Sequence, residues 1–201
     1  MKIKILPIII IILFFILVLF LSYLPKSGMA SSQNTNVSIT IVDIIQSPEI
    51  SEGGGEEEVV SSNEVASLSR EWGKLETGSS AVLTINNKDI AITEVVVDVK
   101  NAISNVEIKV VSLVSNPIAI DASSKVYQYL QITKSNIDDT DASKITLNFG
   151  VPKSWLTSNN VAEDNIVLYR YSDSKWNALS TTKTGTDANY VLYQSITSGF
   201  S

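Results

Sequence analysis

The chain has 201 residues, 44% of them hydrophobic and 18% charged, and a formal charge of -6 from 15 Lys+Arg against 21 Asp+Glu. That length suits one medium domain plus a targeting segment, and an acidic balance with no basic cluster excludes nucleic acid as a partner. Cysteine and histidine are both absent, which removes disulfides, thiolate nucleophiles, Ser-His-Asp and Cys-His hydrolysis and His-ligated zinc.

The N-terminus begins with Met1-Lys2-Ile3-Lys4, and an apolar run follows from Ile5 to Leu24, broken only by Pro7, Ser22 and Tyr23. A helix of about twenty such residues crosses a hydrocarbon layer of roughly 30 Å. Lys2 and Lys4 favour a cytoplasmic start, so the remainder is expected outside, either on the extracellular face of the cytoplasmic membrane or secreted into the envelope. Gly28-Met29-Ala30 supplies small residues at the -3 and -1 positions of a cleavage after Ala30. Residues 1–30 are therefore read as a signal peptide or an N-terminal membrane anchor, and both readings stay open. Either way the membrane is a partner of this segment.

Residues 31–58 read as a polar, acidic, glycine-rich linker. Asn36-Val37-Ser38 is a glycosylation sequon, with Asn36 as acceptor. Val37 to Ile45 is a strand-like run inside this stretch. The following segment, Ser47 to Glu58, holds Gly53-Gly54-Gly55 and Glu56-Glu57-Glu58; it offers nothing to bury and repels itself.

From residue 59 to 201 the hydrophobic period is two. Val95, Val97 and Val99 alternate with polar or exposed positions, and so do Val106, Ile108 and Val110. The phase then slips to Val111 and Leu113, which predicts a bulge or an exit from the sheet. Val126–Ile132, Ile145–Val151, Ile166–Tyr171 and Tyr190–Ile196 are further predicted strands, rich in β-branched and aromatic residues. Pro152-Lys153-Ser154-Trp155-Leu156 predicts one short helical turn, ended by Asn159-Asn160 and capping an open end with Trp155 and Leu156. The expected fold is all-β: an antiparallel β-sandwich of immunoglobulin-like, Greek-key type, preceded by an N-terminal hydrophobic helix.

The C-terminal part carries a recurrent pattern. Val126-Tyr127-Gln128-Tyr129-Leu130-Gln131-Ile132 precedes Ile145-Thr146-Leu147-Asn148-Phe149. Lys153-Ser154-Trp155-Leu156 then leads to Val167-Leu168-Tyr169-Arg170-Tyr171, Trp176-Asn177-Ala178-Leu179 and Lys183-Thr184-Gly185. Tyr190-Val191-Leu192-Tyr193 and Gly199-Phe200-Ser201 complete it. In order and spacing, residues 59–201 resemble the PGF-pre-PGF domain of archaeal surface and secreted proteins. The resemblance implies an exported archaeal protein with a β-rich domain near the envelope, and it carries no catalytic residues. Two departures stand out: Ser198 replaces the family's proline before Gly-Phe-Ser, and the chain stops where the family continues through a few apolar residues. The last strand is thus expected to be clipped, or the sequence to be a piece of a longer one.

The remaining motifs have bland readings beside their chemical ones. Ser172-Asp173-Ser174-Lys175 matches S-x-x-K and Lys183-Thr184-Gly185 matches K-T-G, but both are expected in adjacent turns of a β-meander. Asp138, Asp139 and Asp141 are calcium candidates, although their loop lacks the alternating acids of a calcium hand, and Asp is a common turn residue. Tyr127, Tyr129, Tyr169 and Tyr171 form either a sugar-stacking face or cross-strand pairs. The combined expectation is a non-enzymatic structural or interaction module of the cell surface, without cofactor, meeting envelope proteins or glycans. A carbohydrate-binding or carbohydrate-active domain is the alternative.

Overall fold

The computed structural model describes residues 37–42, 63–118, 120 and 125–200, all within one compact unit, Asn34–Ser201. The apolar run, Ala30 and Asn36 lie outside the described residues. No helix among the described residues is long and apolar enough to cross a membrane.

The described chain is all-β, in two sheets. Its strands are β1 (Val37–Val42), β2 (Glu64–Leu75), β3 (Ser80–Thr84), β4 (Ile92–Val99), β5 (Ile103–Leu113) and β6 (Lys125–Ser135). β7 (Ala142–Pro152), β8 (Ile166–Ser172), β9 (Lys175–Ala178), β10 (Ser180–Thr186) and β11 (Tyr190–Thr197) follow. A six-stranded sheet runs β2-β5-β6-β1-β8-β9, and a five-stranded sheet runs β10-β11-β7-β4-β3. Alternation decides which faces meet. Val95 and Val97 of β4, Leu147 and Phe149 of β7 and Tyr193 of β11 bury toward Ile108 of β5, Leu130 and Ile132 of β6 and Leu168 of β8. Each such aliphatic or aromatic side chain contributes roughly 1.5–3 kcal/mol by leaving water.

β1 is the described part of the strand-like run Val37–Ile45. It lies inside the larger sheet, with β6 on one side and β8 on the other, parallel to both. Every other described ladder is antiparallel. Antiparallel neighbours are joined by short hairpins, whereas parallel strands of one sheet need a crossover of a dozen residues or more. Residues 43–62 supply that length between β1 and β2.

At the phase slip of Val111 the two ladders of β5 differ. β5 pairs with β6 without a shift from Glu107↔Ser135 to Leu113↔Tyr129, whereas its ladder to β2 carries an irregularity, Val65 lying between the pairs Glu64↔Leu113 and Ala66↔Ser112. Val110, Val111, Ser112 and Leu113 are all buried, so β5 is covered on both faces there and alternation vanishes.

Local chemistry explains the turns. Asp173 and Ser174 both have positive φ, 52° and 59°, the requirement of the two-residue hairpin that matches strand twist. Ser172 and Lys175 are consequently paired across β8 and β9, and the S-x-x-K match is a hairpin. Lys183-Thr184-Gly185 lies on strand β10 instead of a turn, with a register shift at Thr184. The helical turn α1 (Lys153–Ser158) buries Leu156 and ends at Asn160, whose φ of 52° is the left-handed cap geometry that asparagine tolerates.

Polar ties join the sheets where β8, β10 and β11 approach. Thr181 Oγ1 accepts from the Leu168 amide at 3.0 Å and lies 2.8 Å from the buried Ser195 Oγ. Arg170 Nη1 donates to Thr197 Oγ1 at 2.9 Å and to the Gly199 carbonyl at 2.6 Å. These bonds satisfy most of the polar groups at the corner, while Arg170 Nε is buried there without a hydrogen-bond partner.

Candidate functional site

Among the described residues a concavity lies between the β3–β4 connection, residues 85–91, and the β10–β11 turn. Its volume is about 320 Å³, and Tyr127, Tyr190 and Leu192 supply apolar walls with Asn87, Lys88 and Asp187 among the polar groups. Gly150 of β7 forms part of it. A Cβ at Gly150 would meet Tyr190 Cδ1 at 3.4 Å and Leu192 Cδ2 at 3.6 Å, so the missing side chain keeps the floor open between those two residues.

Tyr127 reaches this end because of a bulge. The ladder to β1 reads Ser38↔Val126 and then Ile39↔Gln128, which leaves Tyr127 as the extra residue of β6. A bulge re-aims the side chain it carries. Tyr127 meets the Trp155 ring of α1 edge-on, centroids 5.2 Å apart, and both pack against the core. Burial raises the Tyr127 pKa above its ordinary value, with a smaller contribution from Tyr190.

The loop opposite is held by one amide side chain. Gln128 Oε1 accepts from the Ala91 amide at 2.7 Å, and Gln128 Nε2 donates to the Asp89 carbonyl at 2.9 Å. Asn87 Oδ1 accepts from the Asp89 amide at 3.0 Å, an Asx turn that tightens the tip. On the other wall, Asp187 Oδ1 accepts from the Tyr190 and Asn189 amides at 2.7 and 2.8 Å. Those bonds, Tyr190's first, hold the Asp187 carboxyl below the usual aspartate range. Lys153 Nζ donates to the Asp187 carbonyl and ties α1 to the same turn. The result is an aromatic-walled groove with hydrogen-bonding groups around it, suited to a ligand with one apolar face and several hydroxyl or amide groups.

Three of the four tyrosines of the sequence reading share a face, and Tyr127 does not join them. Leu130 and Leu168 point into the core, so Tyr129, Tyr169 and Tyr171 lie on the outer side of the larger sheet by alternation. Tyr129 and Tyr169 take register positions on either side of Thr40, and Tyr171 meets Trp176 edge-on at 5.0 Å. Tyr127 is separated from them by its bulge.

The calcium candidates are turn residues. Asp141 Oδ1 accepts from Asn101 Nδ2 at 3.0 Å, and its Oδ2 from the Asp138 amide at 3.1 Å. The Asn101 bond first, and the Asp138 bond second, lower its pKa. Asp139 turns elsewhere: its Oδ1 accepts from Lys134 Nζ at 3.1 Å and from the Phe200 amide at 3.0 Å. Gly199 sits so close that a Cβ there would collide with Asp139 Oδ2, and Phe200 buries beneath Lys134, whose Nζ is 5.3 Å from the ring centroid. Among the described residues no group of three or more acidic side chains is placed to hold a metal ion.

Sequence reasoning singled out Tyr127 but missed Gln128, Gly150, Asp187 and Tyr190 as parts of one place. Asp187-Ala188-Asn189 before a strand was a readable turn signal. Nothing in the sequence linked it to residues 85–91.

The carboxylates predict the pH response of the fold. Asp98 is held below its ordinary 3.8 first by the Ser80 hydroxyl and then by Lys144, and Asp141 and Asp187 shift the same way. A folded pKa below the unfolded one gives stability that is present above about pH 4 and lost as pH falls through the folded value. Tyr127 and Tyr193 are displaced upward from 10.0, each mainly by burial. Their contribution is present below about pH 10 and lost as pH rises past it. Urea midpoints at pH 3, 6 and 11 are therefore expected to be highest at pH 6; equal midpoints at pH 3 and 6 would refute the assignment.

Comparison with family models, curated proteins and solved structures finds no match for this chain.

Proposed function

We infer that the chain is a non-enzymatic structural or interaction module of an archaeal cell-surface or secreted protein, acting by contact with envelope proteins. The observation that carries this reading is the use made of the carboxylates. Asp98, Asp139, Asp141 and Asp187 are each occupied by turn or cross-strand hydrogen bonds. Glu94 Oε2 accepts from Asn148 Nδ2, and Asn148 Oδ1 from Gln194 Nε2, across three strands. In a chain without histidine or cysteine, a carboxyl serving as general acid needs a raised pKa; Asp98, Asp141 and Asp187 are shifted downward. Export rests on the apolar run Ile5–Leu24 and its flanking lysines. Membership of the PGF-pre-PGF domain family, and an immunoglobulin-like Greek-key class for the sandwich, belong to the same reading.

Carbohydrate binding is the second reading, favoured by the aromatic walls of the groove. A glycan array separates the two. The full-length chain is expected to show no saturable binding. Saturable binding that Tyr127→Ala weakens about five- to thirteenfold, as loss of an aromatic contact of roughly 1–1.5 kcal/mol implies, would replace the first reading with the second. Tyr169→Ala serves as the comparison, since Tyr169 lies outside the groove.

A further inference from the structure

β6 and β8 are not paired with each other. Both are completed by β1, in the registers Val37↔Lys125 to Val42↔Gln131 and Val37↔Ile166 to Val42↔Tyr171. Remove β1 and two facing strand edges are left with unpaired backbone groups inside a sheet, a costly state that any fitting strand relieves. The slot is thus a strand-acceptor site with its own register, and the segment that fits it, Val37-Ser38-Ile39-Thr40-Ile41-Val42, is carried on a tether.

The tether's composition and length decide where that strand can go. Residues 43–62 contain six acidic residues, three consecutive glycines and no Lys or Arg. Fully extended, twenty residues reach roughly 66–72 Å, against a diameter of roughly 35–40 Å for a domain of this size. A strand on such a tether reaches the slot of a neighbouring molecule as well as its own.

We propose that the β6–β8 slot also accepts β1 of a second copy, so that the chain links to itself by strand exchange. Own and foreign β1 make the same contacts, and concentration alone decides between them. A linker of this length presents its strand at an effective concentration of order 1 mM. Exchange is therefore a minor state at 10 µM, on the order of 1%, and reaches about half near 1 mM. Crowding on a surface brings copies into that range. Reciprocal exchange gives a closed dimer, and one-way exchange gives an open chain of copies.

The absence of native cysteine makes the test clean. Full-length Val42→Cys and full-length Gln131→Cys, whose positions are register partners, are mixed in denaturant, refolded together at 10 µM and at 1 mM, and oxidised. Since only half of the foreign strands in an equimolar mixture carry Val42→Cys, a heterodisulfide rising from about 0.5% to about a quarter of the Gln131→Cys chains supports exchange. Thr182→Cys, on the exposed side of β10 in the other sheet, replaces Gln131→Cys to measure random collision, and the double variant Val42→Cys/Gln131→Cys measures closure within one chain. Heterodisulfide no greater than the Thr182→Cys control at 1 mM, with the double variant closing internally, overturns the proposal. A double variant that forms neither internal nor intermolecular bonds shows that β1 does not occupy the slot, and overturns it equally.

Discussion

Phe149→Ala is expected to lower the free energy of unfolding by about 3–5 kcal/mol, the range for removing a buried aromatic ring. Phe149 is 1% exposed on β7, the middle strand of the five-stranded sheet. Its ring stacks on Tyr193 with centroids 5.3 Å apart and planes 20° from parallel. Its backbone pairs with Ile92 on one side and Tyr193 on the other. The surroundings cannot collapse into the space without moving two ladders, so the cavity term persists. The loss is a large share of the 5–15 kcal/mol typical of a whole domain. Equilibrium urea unfolding reads it directly, and Phe149→Leu, which keeps most of the volume, is expected to cost well under half as much. A loss below about 1 kcal/mol for Phe149→Ala would mean that the two sheets do not meet at this residue.

Thr40→Pro is expected to cost about 3 kcal/mol or more, and to do so through the backbone alone. Thr40 sits in the middle of β1, opposite Tyr129 of β6 and Tyr169 of β8. Proline has no amide hydrogen and is confined to edges and bulges of sheets; at a position with a neighbour on each side it removes a ladder bond and strands its partner carbonyl. Were residues 37–42 part of a solvated linker, the same substitution would stay within about 0.5 kcal/mol. The urea midpoint of full-length Thr40→Pro thus distinguishes the two placements of this segment, and an unchanged midpoint would return β1 to the linker. Ser47→Pro, five residues past the end of β1, is the matched control for proline outside the ladder.

Some of this molecule is written locally. Ile145, Leu147, Phe149 and Val151 alternate in the sequence and bury along β7, because successive side chains of a strand point to opposite faces. The β8–β9 hairpin was equally legible at Asp173-Ser174, residues suited to a tight turn. Other elements gave weaker signals. β2 keeps most of its twelve residues exposed or half-buried, and β10, Ser180–Thr186, buries none fully; an edge strand has little apolar periodicity to read. β5 misled in the opposite way, since burial on both faces near Val111 erases alternation.

Composition and period by themselves determined that this chain makes strands, that imidazole and thiol chemistry are unavailable to it, and that its aspartates serve turns well. Only the tertiary structure decided that residues 37–42 complete a sheet, that a bulge sends Tyr127 to the groove while Tyr129 stays outside, and that Gly199 must be bare because Asp139 packs against it. The physical reason is range. Alternation and turn geometry are settled by neighbours along the chain, whereas strand partners, bulges and close approaches depend on residues brought together from 61 to 129 positions away.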